Sequence, residues 1–198
     1  MPSFPTERAR LKVRNPAGDV QVETRDVAET TVELVPLNDS EATRQAIEKA
    51  SVGARGDEVF VELEGRSWSI SIGSWGLGSA KVSVRITCPE GSDLECDTAS
   101  ADVRVIGTLG EARLRTASGD FEVDRVRGAL EAKTASGDVK VDHVEGRANM
   151  NTVSGDVNLH TAMSGLAANS VSGDVIVGEV YGDVVVGTVS GDLMVRAA

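Results

Sequence analysis

Aromatic residues and positive charge are both scarce in this chain. Phe, Trp and Tyr make up only 3% of its 198 residues, and stacking on such rings is a common way to bind bases and sugars. Lys and Arg number 20 against 31 Asp and Glu, which gives a net charge of -11. Because a surface of that sign repels a polyanion, we expect no nucleic-acid partner.

Cysteine is also scarce, and so are long apolar runs. The two cysteines, Cys88 and Cys96, are too few for a disulfide framework and lack the spacing of zinc ligands. The sequence leaves open whether they are joined across the turn at residues 89–92 or lie in the core as two thiols. The chain has no stretch of about 18 uncharged apolar residues and no apolar core of a secretory signal near its start. We therefore expect no transmembrane segment and a cytoplasmic location.

A repeated motif organises the second half of the chain. Six serines lie 18 residues apart, and five of them are followed by Gly and then Asp. The next residue is always apolar, and the residues between the glycines alternate between apolar and polar, as in Val139-Lys140-Val141. Such alternation is typical of strands with one buried face. The six serines are Ser100, Ser118, Ser136, Ser154, Ser172 and Ser190.

The period predicts an all-β fold, a single-stranded parallel β-solenoid of the β-helix or β-roll type. Each 18-residue set holds two short strands and two turns, which together make one flattened coil. We expect right-handed coils, since parallel crossover connections usually have that hand. The predicted inward columns are Phe121, Val139, Val157, Val175 and Leu193; Val123, Val141, Leu159, Val177 and Val195; Ala112, Leu130, Ala148, Leu166 and Val184; and Leu114, Ala132, Met150, Ala168 and Val186.

A column of hydroxyl residues is also predicted just before the repeat serines. Stacked hydroxyls there can bond one another or the backbone of the turns. Its members are Thr98, Thr116, Thr134, Thr152, Ser170 and Thr188.

Residues 1–96 are less regular and are predicted to form a β-rich cap, with the solenoid repeats in residues 97–198. A short amphipathic helix is predicted over residues 40–50, with Asp39 or Ser40 as its N-cap. The predicted strands of the cap are residues 11–13, 19–24, 31–35, 58–63, 68–72 and 81–86.

Three features of the chain carry a family resemblance: the Ser-Gly-Asp-Val copies, residues 84–92 (VRITCPEGS) that lead into them, and residues 15–20 (NPAGDV) near the start. With them the chain resembles a bacterial β-strand-repeat family of unknown function, often labelled putative adhesin, and more distantly the bactofilins. The resemblance covers most of the chain and implies a β-repeat fold without a catalytic motif. It also implies a role as a component of the cell envelope, of an envelope-stress operon or of a cytoplasmic repeat protein.

A column of carboxylates follows the repeat serines, with neighbours about 4.8 Å apart along the stack. Since such neighbours repel, we expect each Asp to accept N–H groups of its own turn. The alternative is a calcium ladder as in nonapeptide β-rolls, whose longer Gly-rich motif supplies more ligands per ion than one Gly-Asp pair per coil. The column consists of Asp102, Asp120, Asp138, Asp156, Asp174 and Asp192.

Catalytic patterns are absent from the sequence. Asp124, Asp142 and His160 share one predicted outward column beside His143 and could hold a transition metal, but solvent-facing polar residues need no such explanation. There is no Gly-x-Ser-x-Gly motif, and uniform short turns leave no cleft for a glycosidase pair of carboxylates. We therefore expect no enzyme and no cofactor.

Outward positions lose their charge toward the C-terminus. One column runs Arg104, Glu122, Lys140, Asn158, Ile176 and Met194, and another runs Arg113, Glu131, Asn149, Ala167 and Val185. Because solvent-facing strands have no reason to become apolar, we expect Ile176, Val185 and Met194 to be covered. The predicted cover is a second copy, in a dimer or in an end-to-end polymer resembling bactofilin filaments, and the alternatives are a protein partner or a further segment of the chain.

Two tryptophans stand apart from the repeats. Trp68 and Trp75 lie in a Gly- and Ser-rich stretch that either packs in the cap or forms an exposed loop for a partner or a lipid surface. The sequence as a whole predicts a non-enzymatic scaffold or interaction module that self-associates or docks a protein partner through its C-terminal coils. The alternative is an ion- or ligand-binding module that uses the Asp column or the Trp68 and Trp75 loop, in envelope stress or adhesion.

Overall fold

A computed structural model describes residues 1–63 and 80–196 of the chain. The elements before the repeats are strands β1 (Ser3–Pro5), β2 (Arg10–Arg25) and β3 (Glu29–Pro36), helix α1 (Glu41–Glu48), and strands β4 (Ser51–Arg55), β5 (Glu58–Glu62), β6 (Val82–Pro89) and β7 (Asp93–Leu109). The repeats form ten further strands: β8 (Ala112–Ser118), β9 (Phe121–Val126), β10 (Leu130–Ser136), β11 (Val139–Val144), β12 (Ala148–Ser154), β13 (Val157–Ala162), β14 (Leu166–Ser172), β15 (Val175–Val180), β16 (Val184–Ser190) and β17 (Leu193–Val195).

The repeat strands form two parallel stacks with the core between them. Sheet 1 consists of β8, β10, β12, β14 and β16, and sheet 2 consists of β9, β11, β13, β15 and β17. Within each stack every residue pairs with the residue one period later, as Leu130 does with Ala148. This pairing confirms the predicted all-β parallel solenoid and its 18-residue coil.

Strands β2 and β7 each run through a corner and contribute to both stacks. Their first halves extend sheet 1 and their second halves extend sheet 2, as the partners of β7 in β8 and β9 show. Gly18 pairs with Ala101 and Asp19 with Asp102, so residues 15–20 take the position of one more Ser-Gly-Asp turn. Strand β7 crosses the boundary predicted between residues 96 and 97, and the division into cap and solenoid stays a prediction.

Antiparallel strands lie at the N-terminal end of the stack. Strands β5 and β6 both pair with β2 in parallel. Strand β4 then pairs with β5, and strand β3 with β6, both in the antiparallel direction. Strand β1 pairs antiparallel with β3. Two of the strands predicted from the sequence, residues 11–13 and 19–24, are parts of the single strand β2, while β1 and β4 were not predicted. The strand predicted at residues 68–72 lies outside the described residues.

Helix α1 begins where the sequence predicts. Ser40 is its N-cap, and the Ser40 Oγ atom accepts the backbone N–H of Thr43 at 3.1 Å. The helix is tied to the stack because the buried Thr43 Oγ1 accepts the backbone N–H of Lys81, just before β6, at 3.0 Å. Ala46 completes the buried stripe of the helix.

The core is built from the predicted inward columns, which are buried from β8 through β15. The structure adds a column that the sequence analysis missed, because two consecutive outward residues, as at Asp124 and Arg125, interrupt the alternation in β9, β11 and β15. This column is Leu109, Val126, Val144, Ala162 and Val180. In the last described coil the predicted inward residues Val184, Leu193 and Val195 are instead 42%, 49% and 39% exposed, because no described coil packs over them.

Candidate functional site

The Asp column connects successive coils. The Oδ1 atom of Asp120 accepts the backbone N–H of Asp138 at 2.8 Å, and the same bond joins each member from Asp102 to Asp192, at 2.8 to 3.0 Å. The expectation that each Asp binds N–H groups of its own turn is therefore wrong. The period places the next coil's N–H directly above each carboxylate, so the interaction is between coils rather than within a turn. At the N-terminal end Asp19 Oδ2 accepts the Ser83 hydroxyl at 2.6 Å.

In each carboxylate from Asp102 to Asp174, one oxygen is therefore already occupied by a hydrogen bond from the backbone of the next coil. A calcium ladder would have to use the remaining oxygens, one carboxylate per coil, which is few ligands for an ion that takes 6–8 oxygens. Within residues 1–63 and 80–196, no three His, Cys, Asp or Glu side chains are grouped so that they could hold a metal ion.

Asp124, Asp142 and His160 share one column of sheet 2, but within residues 1–63 and 80–196 they and His143 do not form a group that could hold a metal ion. His143 pairs with Arg125 and Thr161 in sheet 2, and His160 lies in a different outward position one coil later. Asp124 is already engaged, because its Oδ2 atom accepts the backbone N–H of Gly107 at 2.9 Å. The arrangement therefore offers scattered polar side chains on the outer face of sheet 2.

The outer face of sheet 1 begins as a ladder of alternating charge. Glu131 is its centre: it pairs with Arg113 Nε at 3.0 Å, with Lys133 Nζ at 2.6 Å and with Arg115 at 3.6 Å. The hydrogen bond from Lys133 is the main cause that lowers the pKa of Glu131; partial burial opposes it, and Arg113 and Arg115 assist it. Sheet 2 has the corresponding pair Arg104 and Glu122, at 3.4 Å.

The outer face of sheet 1 and the Ile176 column of sheet 2 change from charged to neutral at the same coil. In β12 the outward side chains are Asn149 and Asn151, joined by a hydrogen bond of 2.7 Å, and in β13 the corresponding residue is Asn158. One coil later the residues paired with them are Ala167, Asn169 and Ile176. The charged residues of these columns thus end at β10 and β11, and the corresponding positions of the C-terminal coils hold small, amide or apolar side chains.

The three predicted interface residues lie on two different faces. Ile176 and Met194 are paired neighbours on sheet 2, 43% and 51% exposed, while Val185 lies on sheet 1 and is 61% exposed. The sequence analysis missed a second exposed column beside Val185, formed by the residue that precedes each repeat serine. This position changes from Ala to Val in the later coils, a signal visible in the sequence, and gives Val153, Val171 and Val189 with exposures of 53%, 48% and 82%.

The cysteines are two separate buried thiols. Cys88 in β6 and Cys96 in β7 both pair with β2, which lies between those strands, so about two strand spacings separate them along the stack. Burial raises the pKa of Cys88 to about 11, against a smaller opposing effect of the Ser92 hydrogen bond. Burial also raises the pKa of Cys96, with a further contribution from Asp97. Trp68 and Trp75 lie outside the described residues.

Helix α1, the one helix of the described residues, is far too short to cross a bilayer, and no membrane-spanning helix is found among them.

Comparison with known proteins identifies the repeat family. The family described as Toastrack DUF4097 matches residues 9–198, which is nearly the whole chain. A putative adhesin from Bacteroides fragilis has a similar structure, with 11% sequence identity and a TM-score of 0.58 over 100% of this chain and 95% of that one. A putative cell adhesion protein from Clostridium sporogenes gives 12% identity and a TM-score of 0.48 over 98% and 94% of the two chains. No curated protein matches the sequence.

Proposed function

The chain belongs to the Toastrack DUF4097 family, and we propose that it acts as a non-enzymatic scaffold or interaction module that self-associates or docks a protein partner through its C-terminal coils. The observation that carries the proposal is the simultaneous loss of charge on the outer face of sheet 1 and in the Ile176 column of sheet 2 after β10 and β11. A solvent-facing strand gains nothing from exposed Val, Ile and Met side chains, whereas an interface does. A net charge of -11 makes this end the one where contact with another acidic copy costs least.

The non-enzymatic part of the proposal is supported by the uses that the polar side chains already have. The carboxylates from Asp102 to Asp174 bind backbone N–H groups of the next coil, and Glu131 is shared by three cationic side chains. Groups held in this way stabilise the stack and the outer faces. We propose a cytoplasmic location on the same footing, supported by two unpaired buried thiols. The protein can be fused to a reporter enzyme that is active only after export from the cytoplasm. Activity of that reporter would contradict the proposed location.

Light scattering on the size-exclusion peak, over a wide concentration range, tests the interaction surface. We expect the wild-type mass to rise with concentration, and we expect Ile176→Lys with Met194→Lys, or Val185→Lys, to lower it. The matched control is Asn158→Lys, which adds the same charge one coil earlier in the column of Ile176. If the wild type is a strict monomer and the lysine variants leave its solubility unchanged, the covered-surface proposal fails.

The same samples test the competing function, an ion-binding module built on the Asp column. A ligand that binds only the folded state raises the melting temperature. We expect no shift between millimolar calcium and chelator, because one carboxylate oxygen per coil from Asp102 to Asp174 is held by the backbone. A rise with calcium that is lost in Asp138→Asn would favour the ion-binding function over the scaffold.

A further inference from the structure

We infer that two copies of this chain pack face to face through the outer surface of β14 and β16, with their long axes pointing in opposite directions. This inference rests on the proposed function and names its occupant, a second copy. The neutral face is the set of outward residues in these two strands: Ala167, Asn169, Val171, Val185, Gly187 and Val189.

Gly187 is the first argument for close approach from outside. A Cβ atom added there would come no nearer than 3.5 Å to any other atom, that of the Asn169 Oδ1, which is an ordinary contact. In contrast, a Cβ at Gly137 would lie 2.0 Å from the Gly119 carbonyl oxygen, and one at Gly178 would lie 2.3 Å from the His160 carbonyl oxygen. Those glycines are required by the chain's own backbone, whereas Gly187, in mid-strand and without a positive φ, is not. Glycine weakens a strand interior, and it often marks a place where another backbone approaches.

The neutral face is self-complementary in size. Val185 pairs with Ala167 in the neighbouring strand, and Gly187 pairs with Asn169, so a large residue lies beside a small one in each of these two pairs. A two-fold axis along the strands, midway between β14 and β16, sets Val185 against Ala167 of the partner subunit. The same axis sets Asn169 against Gly187 of the partner subunit. In these two pairs a large side chain meets a small one, whereas at the edge Val171 meets Val189 of the partner subunit, valine against valine.

Charge selects this alignment over the other two-fold arrangement. An axis along the solenoid would also place large residues against small ones, but it would align every coil of the two copies. Arg113 would then face Arg115 of the partner subunit and Glu131 would face Lys133 of the partner subunit, so the ladder itself does not decide between the two axes. The two chains, each with a net charge of -11, would however lie side by side over their whole length. With the axis along the strands, the charged coils of each copy extend away from the other. The outer face of sheet 2 is less suited because the exposed Glu179 lies in β15, three residues after Ile176.

The size of the face predicts a weak dimer. Two strands of seven residues form a face of about 10 by 23 Å, an area of about 230 Å². A stable complex buries roughly 800 Å² per partner, which is far more. The polar Asn169 side chain can be covered at low cost, because its Nδ2 atom already donates to Asn151 Oδ1 at 3.2 Å. We therefore expect association that depends on concentration.

Cysteine cross-linking of mixed variants tests the alignment. Copies that carry Val185→Cys are mixed with copies that carry Ala167→Cys and oxidised; the native thiols are buried and do not compete. We expect this mixture to cross-link faster than either variant alone and faster than Asn158→Cys, the control on sheet 2. Faster cross-linking of Val185→Cys with Gly187→Cys would overturn the alignment. Rates equal to the control in every mixture would overturn the interface.

Filling the Gly187 position separates the inference from the proposed function. Gly187→Val should raise the melting temperature of the monomer, since the added atoms meet open space, and should weaken dimerisation about tenfold by removing the recess for the partner's Asn169. Lys133→Val is the control, with the same new side chain in the same column three coils earlier. If wild-type association survives Gly187→Val but is lost in Ile176→Lys with Met194→Lys, the scaffold proposal stands and this inference fails. A wild type that neither associates nor cross-links contradicts this inference and the self-association part of the proposed function.

Discussion

The backbone N–H of Asp138 lies 2.8 Å from the Oδ1 atom of Asp120, one coil earlier. Each such bond links the turn of one coil to the turn of the next, in the same direction as the strand pairing. Because the donor belongs to the backbone, the column holds its spacing without a bound ion. The acidic edge is thus a structural part of the stack rather than a free cluster of charge.

Removing one carboxylate from this column should destabilise the fold. We expect Asp120→Ala to lower the free energy of unfolding by about 1–2 kcal/mol, because the N–H of Asp138 loses its acceptor. Asp120→Asn keeps a side-chain oxygen at the same position and removes like-charge repulsion, so its loss should be smaller. Urea unfolding of the three proteins measures the difference, and equal losses for Ala and Asn would contradict the interaction.

Glycines at the Ser-Gly-Asp turns and in β16 should respond in opposite ways to alanine. A Cβ at Gly155, where φ is +149°, would lie 2.1 Å from the Gly137 carbonyl oxygen, so we expect Gly155→Ala to cost roughly 2–4 kcal/mol. Gly187→Ala should be neutral or stabilise by about 0.5–1 kcal/mol. Thermal unfolding of both variants at low concentration, where dimers do not contribute, compares them. A large loss in Gly187→Ala would show that this position is required inside the chain.

Two threonines at equivalent positions of the hydroxyl column should differ in how much they contribute to stability. Thr134 Oγ1 is buried without a hydrogen-bond partner in the described part of the chain, whereas Thr152 Oγ1 donates to the Gly137 carbonyl at 3.3 Å. We expect Thr134→Val to leave stability unchanged or raise it, since no bond is lost. Thr152→Val should cost about 1 kcal/mol. Chemical unfolding of both variants decides this, and equal effects would argue that the bond at Thr152 contributes nothing.

The buried thiols predict a loss of stability at alkaline pH. The pKa of Cys88 is raised from 9.0 to about 11 in the folded state, so the thiol keeps its proton where the unfolded chain releases it. Its contribution is therefore complete below about pH 8.5 and falls as the pH rises toward 11. Urea unfolding at pH 7.5, 9 and 10 should show this slope, and Cys88→Ala with Cys96→Ala should reduce it. A thiol reagent that labels the folded wild type at pH 8 as fast as the unfolded chain would contradict the burial.

Local pattern was enough to predict most of the repeat region. The spacing of Ser118, Ser136 and Ser154 identifies both the register and the coil, because residues one period apart must pair when every coil has the same length. Alternation then assigns inward and outward positions. It fails where a strand departs from period two, and so the buried column of Val126 and Val144 was missed. Strand β4 was missed as well, since Ser51–Arg55 has no clear alternation.

The candidate site divides in the same way. The loss of charge toward Ile176, Val185 and Met194 is visible in the sequence alone, since it needs only the column assignment. The role of Asp120 is not visible in the sequence, because its hydrogen-bond partner is a backbone N–H of another coil and no side-chain pattern indicates that bond. The freedom around Gly187 likewise depends on how near the atoms of the adjacent coil come.

The sequence by itself therefore determined the solenoid, its period and the polarity of its faces, since all three follow from residue type repeated at one spacing. Only the tertiary structure decided that β2 lies between β6 and β7, because strands distant in the chain pair through edges that local pattern does not specify. The tertiary structure also decided which carboxylates accept backbone N–H groups, and that a Cβ atom at Gly187 would not clash with the rest of the chain. Those properties depend on distances between coils, and such distances exist only after the chain has closed on itself.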